Sequence, residues 1–205
     1  MVQKLNWGKE TPSQTAGPYV HIGLLPNFLG NPGIYPEDLG RSPIREGAKG
    51  ERITITGSVR DGSGMVLRDA MIESWQADTA GLFPSLGERR GRADPGVIGW
   101  ARFAADFGSG DWTLTTVKPG RVPAPDGRLM APHISLWIVA RGINIGLQTR
   151  VYFEDEAEAN ADCPVLKRIE HRERVNTLMA KKTGAQQYRF DIVLQGPDET
   201  VFFDL

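Results

Sequence analysis

Two polar side chains open an otherwise apolar run, Ala131-Pro132-His133-Ile134-Ser135-Leu136-Trp137-Ile138-Val139-Ala140. Its β-branched and apolar residues predict a buried strand, and Pro132 stands at the start, where a missing N–H costs least. Side chains alternate across a strand, so His133 and Ser135 face one way while Ile134 and Leu136 face the other. The loop from Lys118 to Met130, which contains prolines and glycines, delivers this polar pair and predicts the wall of a binding site. A metal site here calls for His-x-His, whose imidazoles converge on one point. The chain offers His-x-Ser.

Other reactive types are scattered. Cys163 is the one cysteine, so no internal disulfide forms, which suits a reducing cytoplasm; ahead of Pro164 it reads as a small packed residue rather than a catalytic thiol. Arg89, Arg90 and Arg92 fall in a long loop from Gly81 to Gly99 and read as a solvated cluster. Lys and Arg total 24 against 25 Asp and Glu, a net charge of −1, which gives no electrostatic case for a nucleic-acid or membrane-surface partner. No apolar run approaches the length of a membrane span, and Met1 to Trp7 lacks the apolar core of a signal peptide, so the expected compartment is the cytoplasm.

The elements that must hold these residues are mostly short strands. The chain has 205 residues, 40% hydrophobic and 24% charged, which fits one larger β domain, and its 24 glycines and 14 prolines favour many turns. Residues 1–50 read as an arm. Thr11 to Tyr19 and Asn27 to Gly50 are punctuated by Pro and Gly without periodicity, yet Tyr19, Ile22, Leu24, Leu25 and Phe28 are too apolar for a floppy tail. The β core occupies 51–205. Strands are expected over Arg52–Val59, Asp69–Ala77, Trp100–Ala105, Trp112–Val117, Ala131–Ala140, Gly146–Phe153 and Tyr188–Leu194, and helices over Glu154–Asp162 and Glu170–Lys182. The fold class is all-β, a β-sandwich with an extended N-terminal arm and one or two short helices near the C-terminus.

Three stretches together resemble the intradiol ring-cleavage dioxygenases. They are Ile55-x-Gly57-x-Val59 with Gly64, Leu67, Ile72-Glu73 and Gly81-x-Phe83; Lys118-Pro119-Gly120 followed by Ala131-Pro132-His133-Ile134; and Arg150-Val151-Tyr152-Phe153. Thr11 to Gly23 and Ala140-Arg141-Gly142-Ile143-Asn144-Ile145 narrow the resemblance to the branch built from two unlike chains, on the side of the chain that does not carry the metal.

The resemblance implies a mononuclear Fe(III) held by two tyrosinates and two histidines, onto which a catecholate chelates for attack by O2. Carried over position by position, the tyrosines fall on Phe83 and Val122, and the histidines on His133 and Ser135. One ligand of four survives, so the chain is expected to bind no iron itself and to pair with an iron-bearing β chain in a hetero-oligomer. Substrate-side groups would fall on Thr15, Gly17, Pro18 and Arg141, with Tyr19 weighed between a pocket residue and an anchor for the arm. A guanidinium suits the carboxylate of a substrate such as protocatechuate, and a Gly-Pro turn lets backbone approach a flat ring. The plainer alternatives are a structural, hydrogen-bonded His133 and an Arg141 paired with an acidic neighbour at the rim.

Overall fold

Alternation along the chain sets the architecture. In Arg52–Arg60 (β1), Ile53 and Ile55 are buried while Thr54 and Thr56 between them are half-buried. The computed structural model describes residues 15–204. The other strands are Met71–Trp75 (β2), Trp100–Ala104 (β3), Asp111–Val117 (β4), His133–Val139 (β5), Leu147–Phe153 (β6), Met179–Gly184 (β7), Gln187–Arg189 (β8) and Ile192–Val193 (β9). They form one sheet in the order β3-β2-β5-β6-β7-β8-β1-β4, with β9 also on β1. The sheet folds over on itself into a nearly closed sandwich. The β6–β7 pair, where it turns the corner, is parallel and short, joining Tyr152 to Met179 and Phe153 to Ala180.

The interior is filled from both halves by Ile53, Ile55, Ile72, Trp112, Leu114, Ile134, Leu136, Ile138, Val151, Phe153 and Tyr188. Each fully buried aliphatic side chain here contributes about 1.5–3 kcal/mol. The expected alternation of β5 is observed. Ile134, Leu136 and Ile138 point into the core, which leaves His133, Ser135 and Trp137 on the outer face of the sheet.

Helices are few and short: Val20–Leu24 (α1), Ala157–Asp162 (α2), Pro164–Lys167 (α3) and a 3-10 turn at Arg172–Leu178. The helix expected at Glu154 starts only at Ala157, because Asp155 and Glu156 are held by Lys118 at 3.1 and 2.8 Å. The helix expected over Glu170–Lys182 is not formed. A 3-10 turn ends at Leu178 and β7 begins at Met179. Val175, Leu178 and Met179 do have helical spacing, but β6 pairs with Met179 and Ala180 and β8 with Lys181, Lys182 and Gly184, and tertiary pairing overrides local propensity. The strand expected at Tyr188–Leu194 is split into β8 and β9 around Phe190 and Asp191. No helix signal was read in the arm, yet α1 makes one turn there; Val20, Leu24 and Leu25 pack on Met71, Ala104 and Val139.

The two halves are also tied by a buried amide at the end of the sandwich nearest His133. Gln76 follows β2, accepts from Thr116 Oγ1 at 2.7 Å and donates to the Val117 carbonyl at 2.9 Å. Gln76→Leu keeps the bulk but orphans two buried polar groups on β4. It is expected to lower unfolding free energy by about 2–4 kcal/mol, read from urea denaturation, whereas a loss below about 0.5 kcal/mol would contradict the role given to this bridge.

Candidate functional site

The outer face of the β3-β2-β5-β6 layer carries two separate groups of candidate residues, one at each end of β5. The first gathers the four ligand-type positions. Asp78, buried after β2, accepts from the amides of Ala80 and Leu82 at 2.9 Å through its side chain, and its carbonyl accepts from Gly120 N–H at 2.8 Å. The loops bearing Phe83 and Val122 are thus bonded to each other. The approach is close enough that a Cβ at Gly81, where φ is 75°, would collide with the Arg121 carbonyl, and one at Gly120 with the Thr79 carbonyl.

Apolar packing fills these positions. The Phe83 ring stacks on Trp75 with centroids 5.7 Å apart and planes 5° from parallel. Val122 is buried among Ala77, Met130, Ala131 and Tyr152. His133 is buried, its Nδ1 lies 2.8 Å from the Ala131 carbonyl, and its ring leans on Tyr152 at 5.5 Å. Burial, and then the Arg150 guanidinium, hold His133 down at a pKa of about 4. Ser135 lies between Trp75 and Arg150 in the ladder.

Two neighbours belong to a stretch that carries the resemblance but are not expected from the sequence as site residues. Arg150 is the cross-strand partner of Ser135; its Nη1 donates to Met130 Sδ at 3.4 Å and Tyr152 OH at 3.5 Å, and its guanidinium lies over Phe203 at 5.6 Å. Its buried Nε has no partner among the described residues. The Tyr152 ring lies against that of His133, and burial, with Cys163 beside it, pushes the pKa of its phenol well up. Alternation along β6, which sets Arg150 and Tyr152 on one face, was the available signal for both.

These donors do not fit a ferric ion. Phe83 and Val122 offer no lone pair, Ser135 offers a neutral hydroxyl, and a guanidinium adds positive charge beside the one remaining imidazole. Among the described residues, no group of three or more His, Cys, Asp and Glu is placed to hold a metal.

The second group surrounds a cavity of about 620 Å³ at the far end of β5, lined by Pro18, Tyr19, His21, Asn31, Arg68, Asp69 and Arg141 among others. Arg141 leaves β5 just after Ala140, whose carbonyl accepts from Thr15 Oγ1 at 3.0 Å. That bond pins the arm beside Arg141 and commits the Thr15 hydroxyl, which also receives the Gly17 amide at 3.4 Å. Gly17 has φ 71°, a turn conformation open to glycine, and presents Pro18 and Tyr19 to the cavity. Tyr19 is 77% exposed at the lip, so anchoring the arm falls to Val20, Leu24 and Leu25 rather than to Tyr19. Arg141 does have an acidic neighbour, its Nε lying 3.3 Å from Asp69 Oδ2. His21, Arg68 and Asp69 were not proposed as site residues from sequence, because no local spacing links them to Arg141.

The three arginines expected in a solvated loop, Arg89, Arg90 and Arg92, are exposed, and Arg90 also pairs with Glu88 and donates to the Gly81 carbonyl at 2.8 Å. Cys163 is buried against Tyr152, a packed residue as expected. No helix among the described residues is long and apolar enough to cross a membrane.

A family model described as "Dioxygenase" matches residues 26–196. The chain is 48% identical over 198 residues to the protocatechuate 3,4-dioxygenase alpha chain of Pseudomonas putida, covering 95% of this chain and 96% of that one. It is 29% identical over 177 residues to the protocatechuate 3,4-dioxygenase beta chain of Burkholderia cepacia, covering 82% and 75%. Among solved structures, the dioxygenase domain of a dioxygenase carbohydrate-binding protein fusion from Streptomyces sp. SirexAA-E superposes with a TM-score of 0.54 at 22% identity, over 83% of this chain and 94% of that one, which shows the shared fold.

The buried His133 generates a pH test. The folded chain keeps it neutral down to about pH 4, whereas the unfolded chain protonates it near pH 6.5, so its neutral state costs no stability above pH 6.5 and a growing amount as pH falls toward 4. Wild type is expected to lose about 3 kcal/mol more than His133→Asn between those values in urea titrations; parallel profiles for the two would show that His133 is not the buried neutral group.

Proposed function

The chain belongs to the intradiol ring-cleavage dioxygenase family, and from that premise we propose that it is the alpha subunit of a protocatechuate 3,4-dioxygenase, working with an iron-bearing beta chain. The complex would cleave protocatechuate with O2 between its two hydroxyls, giving 3-carboxy-cis,cis-muconate. This chain would complete the substrate pocket and the oligomer without holding the Fe(III).

One observation carries the reading. The ligand-type positions and the Arg141 cavity stand at opposite ends of β5, roughly 20–25 Å apart at ~3.3 Å per residue. Arg141, Gly17, Pro18 and Tyr19 are therefore out of reach of this chain's own Phe83–Val122–His133–Ser135 cluster, which supports a reaction centre on another polypeptide. The arm supports such a partner. Tyr19, Ile22, Phe28, Ile34, Tyr35 and Leu39 all turn apolar surface outward, an arrangement that marks an interaction face.

Within the pocket, Arg141 would take the substrate carboxylate through paired N–H donors, and the Gly17-Pro18 turn would lie against the ring. In the reconstituted alpha/beta enzyme, Arg141→Ala is expected to raise KM for protocatechuate about tenfold or more, a loss of at least ~1.4 kcal/mol, with iron content unchanged. Unchanged kinetics would instead assign the chain to assembly alone.

A further inference from the structure

Asp69 sits in an arrangement that folding alone does not reward. Its side chain is 8% exposed, yet neither carboxylate oxygen receives an aligned hydrogen bond among the described residues. A buried carboxylate is costly unless well paired. Among the described residues its ion pair is with Arg141 at 3.3 Å, whose side chain is 58% exposed. The neighbouring acid that also feels Arg141, Asp61, is occupied by its own turn, accepting from Ser63 and Met65. Across from Asp69 lies His21 of α1, buried, with Nδ1 unpartnered among the described residues. Two buried polar groups therefore line the cavity that Arg141 borders.

The contact geometry gives Asp69 its role. It engages Arg141 through Nε, on the side edge of the guanidinium. No hydrogen bond among the described residues occupies the terminal fork of Nη1 and Nη2, which matches a carboxylate with two parallel bonds. An exposed arginine explores many rotamers, and one fixed edge contact removes most of that freedom before a ligand arrives. We infer that Asp69 is a positioning residue: it holds the Arg141 guanidinium by its Nε edge so that the terminal fork faces the cavity and selects substrates bearing a carboxylate. The inference rests on the substrate role proposed for Arg141. It adds a residue that touches no substrate and decides specificity through another.

The test uses the reconstituted alpha/beta enzyme with protocatechuate and, as a probe lacking the carboxylate, catechol. Asp69→Asn preserves shape and removes the charge. It is expected to raise KM for protocatechuate several-fold, with a smaller effect on kcat and little effect on the kcat/KM for catechol. The double variant Asp69→Asn/Arg141→Ala is expected to be no worse than Arg141→Ala alone, because Asp69 acts only through that arginine. If Asp69→Asn fails to assemble, Asp69→Glu keeps the charge but displaces it by a methylene, and the same loss of preference for protocatechuate over catechol is expected. Equal losses on both substrates, or additive losses in the double variant, overturn the positioning role while leaving the substrate role of Arg141 standing. If Arg141→Ala itself leaves KM unchanged, the reading beneath the inference fails and the inference fails with it.

Discussion

A β-strand is a rigid ruler with two sides, and strand β5 imposes both properties on this molecule. Alternation sends Ile134, Leu136 and Ile138 into the sandwich and leaves His133, Ser135 and Trp137 outside, so every polar candidate on β5 lies on one surface. The fixed rise per residue then keeps that surface's two ends apart. No loop movement brings Arg141 to His133 while β5 stays paired with β2 and β6 along its length. The division of labour proposed between this chain and a partner rests on that spacing as much as on the residue types at the expected ligand positions.

At the His133 end, the structure shows how the family fold packs the positions expected to carry ligands. Loops that would converge on an ion converge on each other through Asp78 and Gly120, and aromatic stacking and aliphatic packing occupy the space. Arg150 places a fixed positive charge beside the imidazole, supported by a phenol, a thioether and an aromatic face instead of a carboxylate. A neutral His133 fits that company, since a second cation buried there would find no counter-charge.

Much of this was legible in the sequence, for identifiable reasons. The strands β1, β4, β5 and β6 declare themselves because alternation is a local property, and the facing of His133 and Ser135 follows from it directly. The reading of Phe83, Val122 and Ser135 at expected ligand positions is equally local, a matter of residue type along the chain. What escaped depends on contacts distant in the chain. Residues 179–184 look helical until β6 and β8 lie alongside them. Arg150 matters through its register with Ser135, and Asp69 and His21 matter because α1, β2 and the exit of β5 meet around one cavity. The arm's exposed apolar residues were read from composition, but their division between inward Leu25 and outward Tyr19 needed the fold.

The separation along β5 also bears on how such a chain can arise. Substitutions that far apart with no shared contacts are energetically independent. On the function proposed above, changes of residue type at the His133 pole can therefore close over with ordinary hydrocarbon without disturbing the arginine and arm at the opposite pole.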